Sequence, residues 1–168
     1  MCSRSSVTRV TCMAGVFLFA ASMAACSKKP QQQMQLGQQS GGPVSPGTAR
    51  DFEVNAGDKV YFTVNSSQLS AQAQQILRAQ ATWLNKYPQY GVTVEGHADE
   101  RGTREYNIAL GARRATAVKS YLSNLGVNPA RLRTISYGKE RPVATCNDIS
   151  CWSQNRRAVT ALNSRPGS

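Results

Sequence analysis

From Arg50 onward the apolar positions follow two rhythms. "KVYFTV" (Lys59–Val64), "GVTVEG" (Gly91–Gly96), "RLRTISYG" (Arg131–Gly138) and "RRAVTALN" (Arg156–Asn163) are short and rich in β-branched or aromatic residues, and each predicts a strand. Between the first two lies "LSAQAQQILRAQATWLNKY". There Leu69, Ala73, Ile76, Leu77 and Leu84 recur at helical spacing, Ser70 suits the N-cap and Pro88 stops the run. A second helix is predicted over Asn107–Leu125, closed by Gly126. A loop with two cysteines precedes the fourth strand. The order β-α-β-α-β-β implies one mixed sheet with helices packed on it, an α/β (α+β) two-layer sandwich of about 115 residues.

Upstream the rhythm is absent. Arg4 and Arg9 precede the apolar run "CMAGVFLFAASMA", which is too short to span a bilayer comfortably and ends in small residues. Residues 1–25 read as a secretory signal. "MAAC" resembles a bacterial lipobox, in which Cys26 becomes the lipidated first residue of the mature chain; an ordinary signal cleaved after Ala25 is the other reading. "SKKPQQQMQLGQQSGGPVSPGTA" follows, almost devoid of apolar residues. Such a segment cannot bury enough surface to offset its ordering entropy, so residues 26–49 read as a flexible tether. Its typical reach is on the order of 25–30 Å. Residues 50–168 form the expected folded domain.

Export changes how the cysteines read. Of the five, Cys2 and Cys12 leave with the signal and Cys26 takes lipid, which leaves Cys146 and Cys151 in "CNDISCW". In an oxidising compartment two close cysteines point to a disulfide. A zinc site would need further ligands, and His97 is the single histidine. No metal and no cofactor is expected. The chain is basic, with a formal charge of +11; taking Arg4 and Arg9 from the 20 Lys and Arg leaves 18 against 9 Asp and Glu, about +9. A basic exported protein meets phospholipid headgroups or a carboxylate-rich wall. Nucleic acid is not an expected partner, since the chain is exported and carries no nucleic-acid motif.

The second helix has an anomaly. At about 100° per residue, with Asn107 at zero, Leu110, Ala117, Val118, Tyr121, Leu122 and Leu125 form one apolar stripe. Asn107, Gly111 and Arg114 lie on the same stripe, so its N-terminal half is polar and small. A buried arginine needs a counter-charge, because an unpaired buried cation costs on the order of several kcal/mol. One reading is a structural salt bridge from Arg114 to Asp99. The other is a pocket at the helix start, where Arg114 receives a ligand carboxylate and Asp99 a ligand cation.

"VTVEGHADERGTREYNIALGARRATAVKSYL", "ISYGKERP" and "NRRAV" together resemble the OmpA C-terminal-like family, in the branch of peptidoglycan-associated lipoproteins of Gram-negative envelopes. The likeness runs from Val60 to about Leu162. It implies an outer-membrane, lipid-anchored protein whose domain faces the periplasm. It also implies non-covalent binding of peptidoglycan through meso-diaminopimelate, and work in the Tol–Pal system with the propeller protein TolB as partner, supporting envelope integrity and cell division. By resemblance the ligand contacts are Asp99, Arg114, Asn107 and Arg156. The family carries an acidic residue in the first strand where this chain has Thr63, which brings no charge and shifts that contact toward Asn65.

An enzyme is disfavoured. His97, Asp99 and Glu100 cluster, but there is no second histidine and no nucleophile elbow, and the cysteines are committed. The alternative to wall binding is an envelope protein–protein module without direct contact to peptidoglycan.

Overall fold

The computed structural model describes residues 44–163. The expected signal, Cys26 and most of the tether lie outside these residues. The first element is one α-helical turn, α1 (Ala49–Asp51), which widens into a π-helical turn over Phe52–Ala56. Thr48 caps it, its hydroxyl accepting from the Asp51 N–H, and Gly57 ends it at φ 73°. Phe52 is fully buried against the Trp83 ring. This segment is too short to show a period, and the apolar pattern predicts no element there.

β1 (Lys59–Tyr61) is shorter than the expected Lys59–Val64. After Phe62 the chain leaves the sheet and turns through Asn65, which sits at φ 52°. α2 (Ala71–Lys86) starts at the expected N-cap, with the Ser70 hydroxyl accepting from the Ala73 N–H. β2 (Gly91–His97) is followed by a loop and then α3 (Arg104–Asn124). α3 begins a turn earlier than the apolar stripe suggests, because Thr103 supplies the cap to the Tyr106 N–H. A 3-10 turn (Pro129–Arg131) leads into β3 (Leu132–Gly138). The loop with the cysteines contains a helix the pattern does not predict, α4 (Ile149–Asn155), capped by Asp148. β4 (Arg157–Asn163) ends the described chain.

The four strands form one mixed sheet in the order β1-β4-β2-β3, with β2 and β3 parallel and β4 antiparallel to both β1 and β2. Register puts Val92, Val94 and Gly96 in line with Leu132, Thr134 and Ser136 of β3 and with Leu162, Thr160 and Ala158 of β4. This face carries α2 and α3, and buries Val60, Leu77, Leu84, Val94, Val118 and Leu122 almost completely. The alternate positions, Glu95, His97, Ile135, Tyr137 and Arg157, line the other face.

α3 lies unusually close to the sheet where the site is built. A Cβ on Gly96 would collide with the carbonyl oxygen of Gly111, and one on Gly111 would meet the Gly96 carbonyl at 2.8 Å. The Ser136 hydroxyl donates to the Ile108 carbonyl across the same contact, at 2.7 Å. Gly111 therefore makes room for β2.

Candidate functional site

The site lies at the C-terminal end of β2, under two loops. Residues 98–103 join β2 to α3. The Ala98 N–H bonds the Gly138 carbonyl at 2.8 Å, Gly102 turns the chain at φ 87°, and Asn107 Nδ2 donates to the Arg101 carbonyl at 2.8 Å. Lys139 Nζ ties the same loop from outside, bonding the carbonyls of Glu100 and Gly102. Residues 62–69 arch over from β1. Thr63, Val64 and Asn65 of that arch are exposed.

Among the described residues, Arg114 is the largest fully buried side chain. Its guanidinium bonds three backbone carbonyls: Nε to Ser66 at 2.9 Å, Nη1 to His97 at 2.7 Å and Nη2 to Thr63 at 3.1 Å. It also faces the Phe62 ring at 5.1 Å. Burial lowers its pKa to about 10; the charge of Asp99 works against that shift and the charge of Arg156 adds to it. At neutral pH it stays protonated. The predicted salt bridge to Asp99 is not formed. These bonds also account for the early end of β1: the backbone carbonyls of Thr63 and Ser66 turn to the guanidinium instead of extending the ladder.

Asp99 is 8% exposed, and two other arginines hold it. Arg101 engages both oxygens, Nε to Oδ1 at 3.2 Å and Nη2 to Oδ2 at 2.7 Å, and its backbone N–H also bonds Oδ1. Arg156 Nη1 approaches Oδ2 at 3.3 Å while its Nε bonds the Phe62 carbonyl at 3.1 Å. Burial pushes the Asp99 pKa up, but the hydrogen bonds and charge of Arg101, with Arg156, outweigh it and hold the carboxyl below its ordinary range.

The structure thus brings Asp99, Asn107, Arg114 and Arg156 together around the 98–103 loop, with Thr63 contributing its carbonyl. Asn65 lies on the arch, with its side chain at the surface. Cys146 and Cys151 form a disulfide with Cα atoms 5.6 Å apart, fastening the start of α4. Two further groups belong to the constellation: Trp152, which the sequence places on the cysteine loop beside Asn155 and Arg156, and Arg101, which escaped the sequence reading. Arg101 is the direct partner of Asp99. Its guanidinium lies 4.2 Å from the centre of the Trp152 ring, and Trp152 Nε1 bonds Glu100 Oε1 at 2.9 Å. A cation two residues from an acid in one loop was a usable signal for Arg101. No local pattern could bring Trp152 there, since it comes from a distant helix. His97 contributes only its carbonyl; its ring lies on the opposite sheet face, 5.5 Å from Tyr137.

Comparison with known proteins places this geometry. The OmpA family matches residues 61–156, a span from the end of β1 to the start of β4 that includes every one of these site groups. A peptidoglycan-associated lipoprotein of Mesorhizobium japonicum is 57% identical over 148 residues, covering 88% of each chain. The crystal structure of the peptidoglycan-associated lipoprotein from Burkholderia pseudomallei superposes with a TM-score of 0.62 at 44% identity, covering 63% of this chain and 90% of that one. The C-terminal domain of Helicobacter pylori MotB shares the fold at 24% identity, with a TM-score of 0.60 over 65% of this chain and 86% of that one. The family match, the curated relative and the crystal structure agree, and this chain belongs to the OmpA family, in its peptidoglycan-associated lipoprotein branch.

Proposed function

We propose that this protein is a non-enzymatic, outer-membrane lipoprotein that binds peptidoglycan non-covalently through the meso-diaminopimelate of the stem peptide. It would tether the outer membrane to the wall within the Tol–Pal system. One observation carries the reading. Two buried guanidiniums, Arg114 and Arg156, lie in the field of a single buried carboxylate, Asp99, which pairs with Arg156 and not with Arg114. A surplus of buried positive charge is costly unless an anion arrives to answer it. A ligand with a carboxylate beside an ammonium would supply the missing negative charge to the arginines and offer a cation to Asp99. The free end of diaminopimelate has that form. Asn107 holds the loop that carries Asp99 through the Arg101 carbonyl, and the Thr63 carbonyl of the arch bonds Arg114.

The test is a titration of the purified protein with a muropeptide containing meso-diaminopimelate, alongside sedimentation with isolated sacculi. Truncating one member of a desolvated charge pair costs roughly 2–5 kcal/mol. Asp99→Ala is therefore expected to weaken binding at least about tenfold. Arg114→Ala should weaken binding and also lower the melting temperature, because its three carbonyl bonds hold the 62–69 arch to β2. Arg113→Ala, on the outer side of α3, should change neither. Wild-type affinity in a folded Asp99→Ala protein would sink the assignment. Sacculi with no other protein present separate wall binding from a pure protein–protein module, and a pull-down against TolB tests that partner.

A further inference from the structure

Asp99 already has a cation, and that fact bears on how a ligand enters. Arg101 forks both carboxylate oxygens, and Arg156 takes one of them again. A ligand ammonium can reach Asp99 only by replacing one of the two. Arg156 is fixed: its side chain is 8% exposed and its Nε is bonded to the Phe62 carbonyl. Arg101 is not. Its side chain is 41% exposed, and beyond Asp99 its guanidinium rests on the Trp152 ring, whose indole N–H is anchored to Glu100.

We propose that Arg101 is a built-in competitor that occupies the ammonium position of the ligand at Asp99. Trp152 is the platform on which it remains when the ligand displaces it. This rests on the pocket assigned above and adds its gate. The guanidinium releases a charge-assisted fork and keeps a cation–π contact, so displacement does not leave it without a partner. A ligand bringing an ammonium alone exchanges one cation for another and gains little. A ligand that also brings a carboxylate to the arginine side gains on both. Arg101 therefore sets a threshold in favour of zwitterions. It also keeps Asp99 neutralised in the absence of the wall.

An occupied site lowers apparent affinity by the fraction of time it is blocked. With a partly exposed ion pair as the block, Arg101→Ala is expected to tighten binding of the meso-diaminopimelate muropeptide roughly two- to fivefold. Arg101→Gln, which keeps the side-chain length without the charge, should do the same. In an Asp99→Ala background the Arg101→Ala gain should vanish, since there is nothing left to compete for. Calorimetric titration of wild type, the single variants and the double variant, each with its melting temperature, reads all of this. If Asp99→Ala weakens binding while Arg101→Ala weakens it too or leaves it unchanged, the gate is wrong and the pocket stands. A gain that persists without Asp99 also overturns the gate. If Asp99→Ala binds like wild type, the pocket assignment falls, and the gate with it.

Discussion

Arg114 and Arg131 solve the same problem at opposite ends of the molecule. Arg131 bonds the carbonyls of Tyr90, Leu84 and Tyr87, two of them at the open C-terminus of α2, as Arg114 bonds those of Ser66, His97 and Thr63. A planar fork of donors suits groups of carbonyls that no strand or helix can satisfy. His97 is the opposite case. Its ring is 2% exposed, and neither nitrogen has a hydrogen-bond partner. Burial first, then the charges of Arg157 and Arg141, lower its pKa to about 4 from the usual 6.5. Between those values the unfolded chain binds a proton that the folded chain refuses. The contribution of His97 to stability is thus complete above pH 6.5 and is lost as pH falls toward 4, with a slope of at most about 1.4 kcal/mol per pH unit. Thermal melts at pH 7 and pH 5 should show the loss, and His97→Phe, which cannot titrate and can still pack on Tyr137, should flatten it. An unchanged slope in that variant would rule His97 out as the source.

At the level of elements, α4 matters more than its length suggests. It is too short to be stable alone. Three ties hold it: the Asp148 cap, the disulfide at its first turn, and Asn155, whose side chain bonds the backbone of Val143 and Ala144. From this helix Trp152 reaches the Arg101 and Glu100 side chains, and the residue after it is Arg156. Closing so short a loop should stabilise the fold by roughly 2 kcal/mol. Reduction, or a Cys146→Ser/Cys151→Ser protein, is expected to lower the melting temperature modestly while leaving the sheet intact. The near-ultraviolet signal of Trp152 should change with it. A melting temperature indifferent to reductant would show that the other two ties suffice.

The whole molecule is a sheet whose strand nearest the C-terminus sits inside it: β4 pairs with β1 on one side and β2 on the other. Arg156, just before β4, is therefore placed by the pairing of this central strand, between the Phe62 carbonyl and Asp99. The basic charge, +11 for the whole chain and about +9 once Arg4 and Arg9 leave with the expected signal, belongs to this scale as well, favouring anionic surfaces at both ends of the proposed tether. If Cys26 is the lipidated first residue, several acyl chains give a stable anchor where a single one is marginal. Mass spectrometry of the mature N-terminus should find an acylated cysteine, and Cys26→Ser should leave the membrane fraction. An unmodified N-terminus would refute the anchor, without touching the wall-binding pocket.

Period and punctuation alone determined the four strands, the two long helices and their order, because each is long enough to show a rhythm and is bounded by a cap, a glycine or a proline. The Ser70 cap is where the sequence places it. The misplaced polarity of Asn107 and Arg114 was equally legible, since a helix wheel needs no tertiary knowledge. What lay beyond it were contacts between residues far apart in the chain. The early end of β1 follows from carbonyls demanded by Arg114, some 48 residues away, and Gly111 is small because Gly96 of β2 presses against it. Asp99 was expected opposite Arg114 and instead pairs with Arg101 and Arg156, a choice made by loop geometry and burial rather than by residue type. The local pattern named Asp99 and Arg114 and the family resemblance added Arg156; only packing brought in Arg101 and decided which charges would meet.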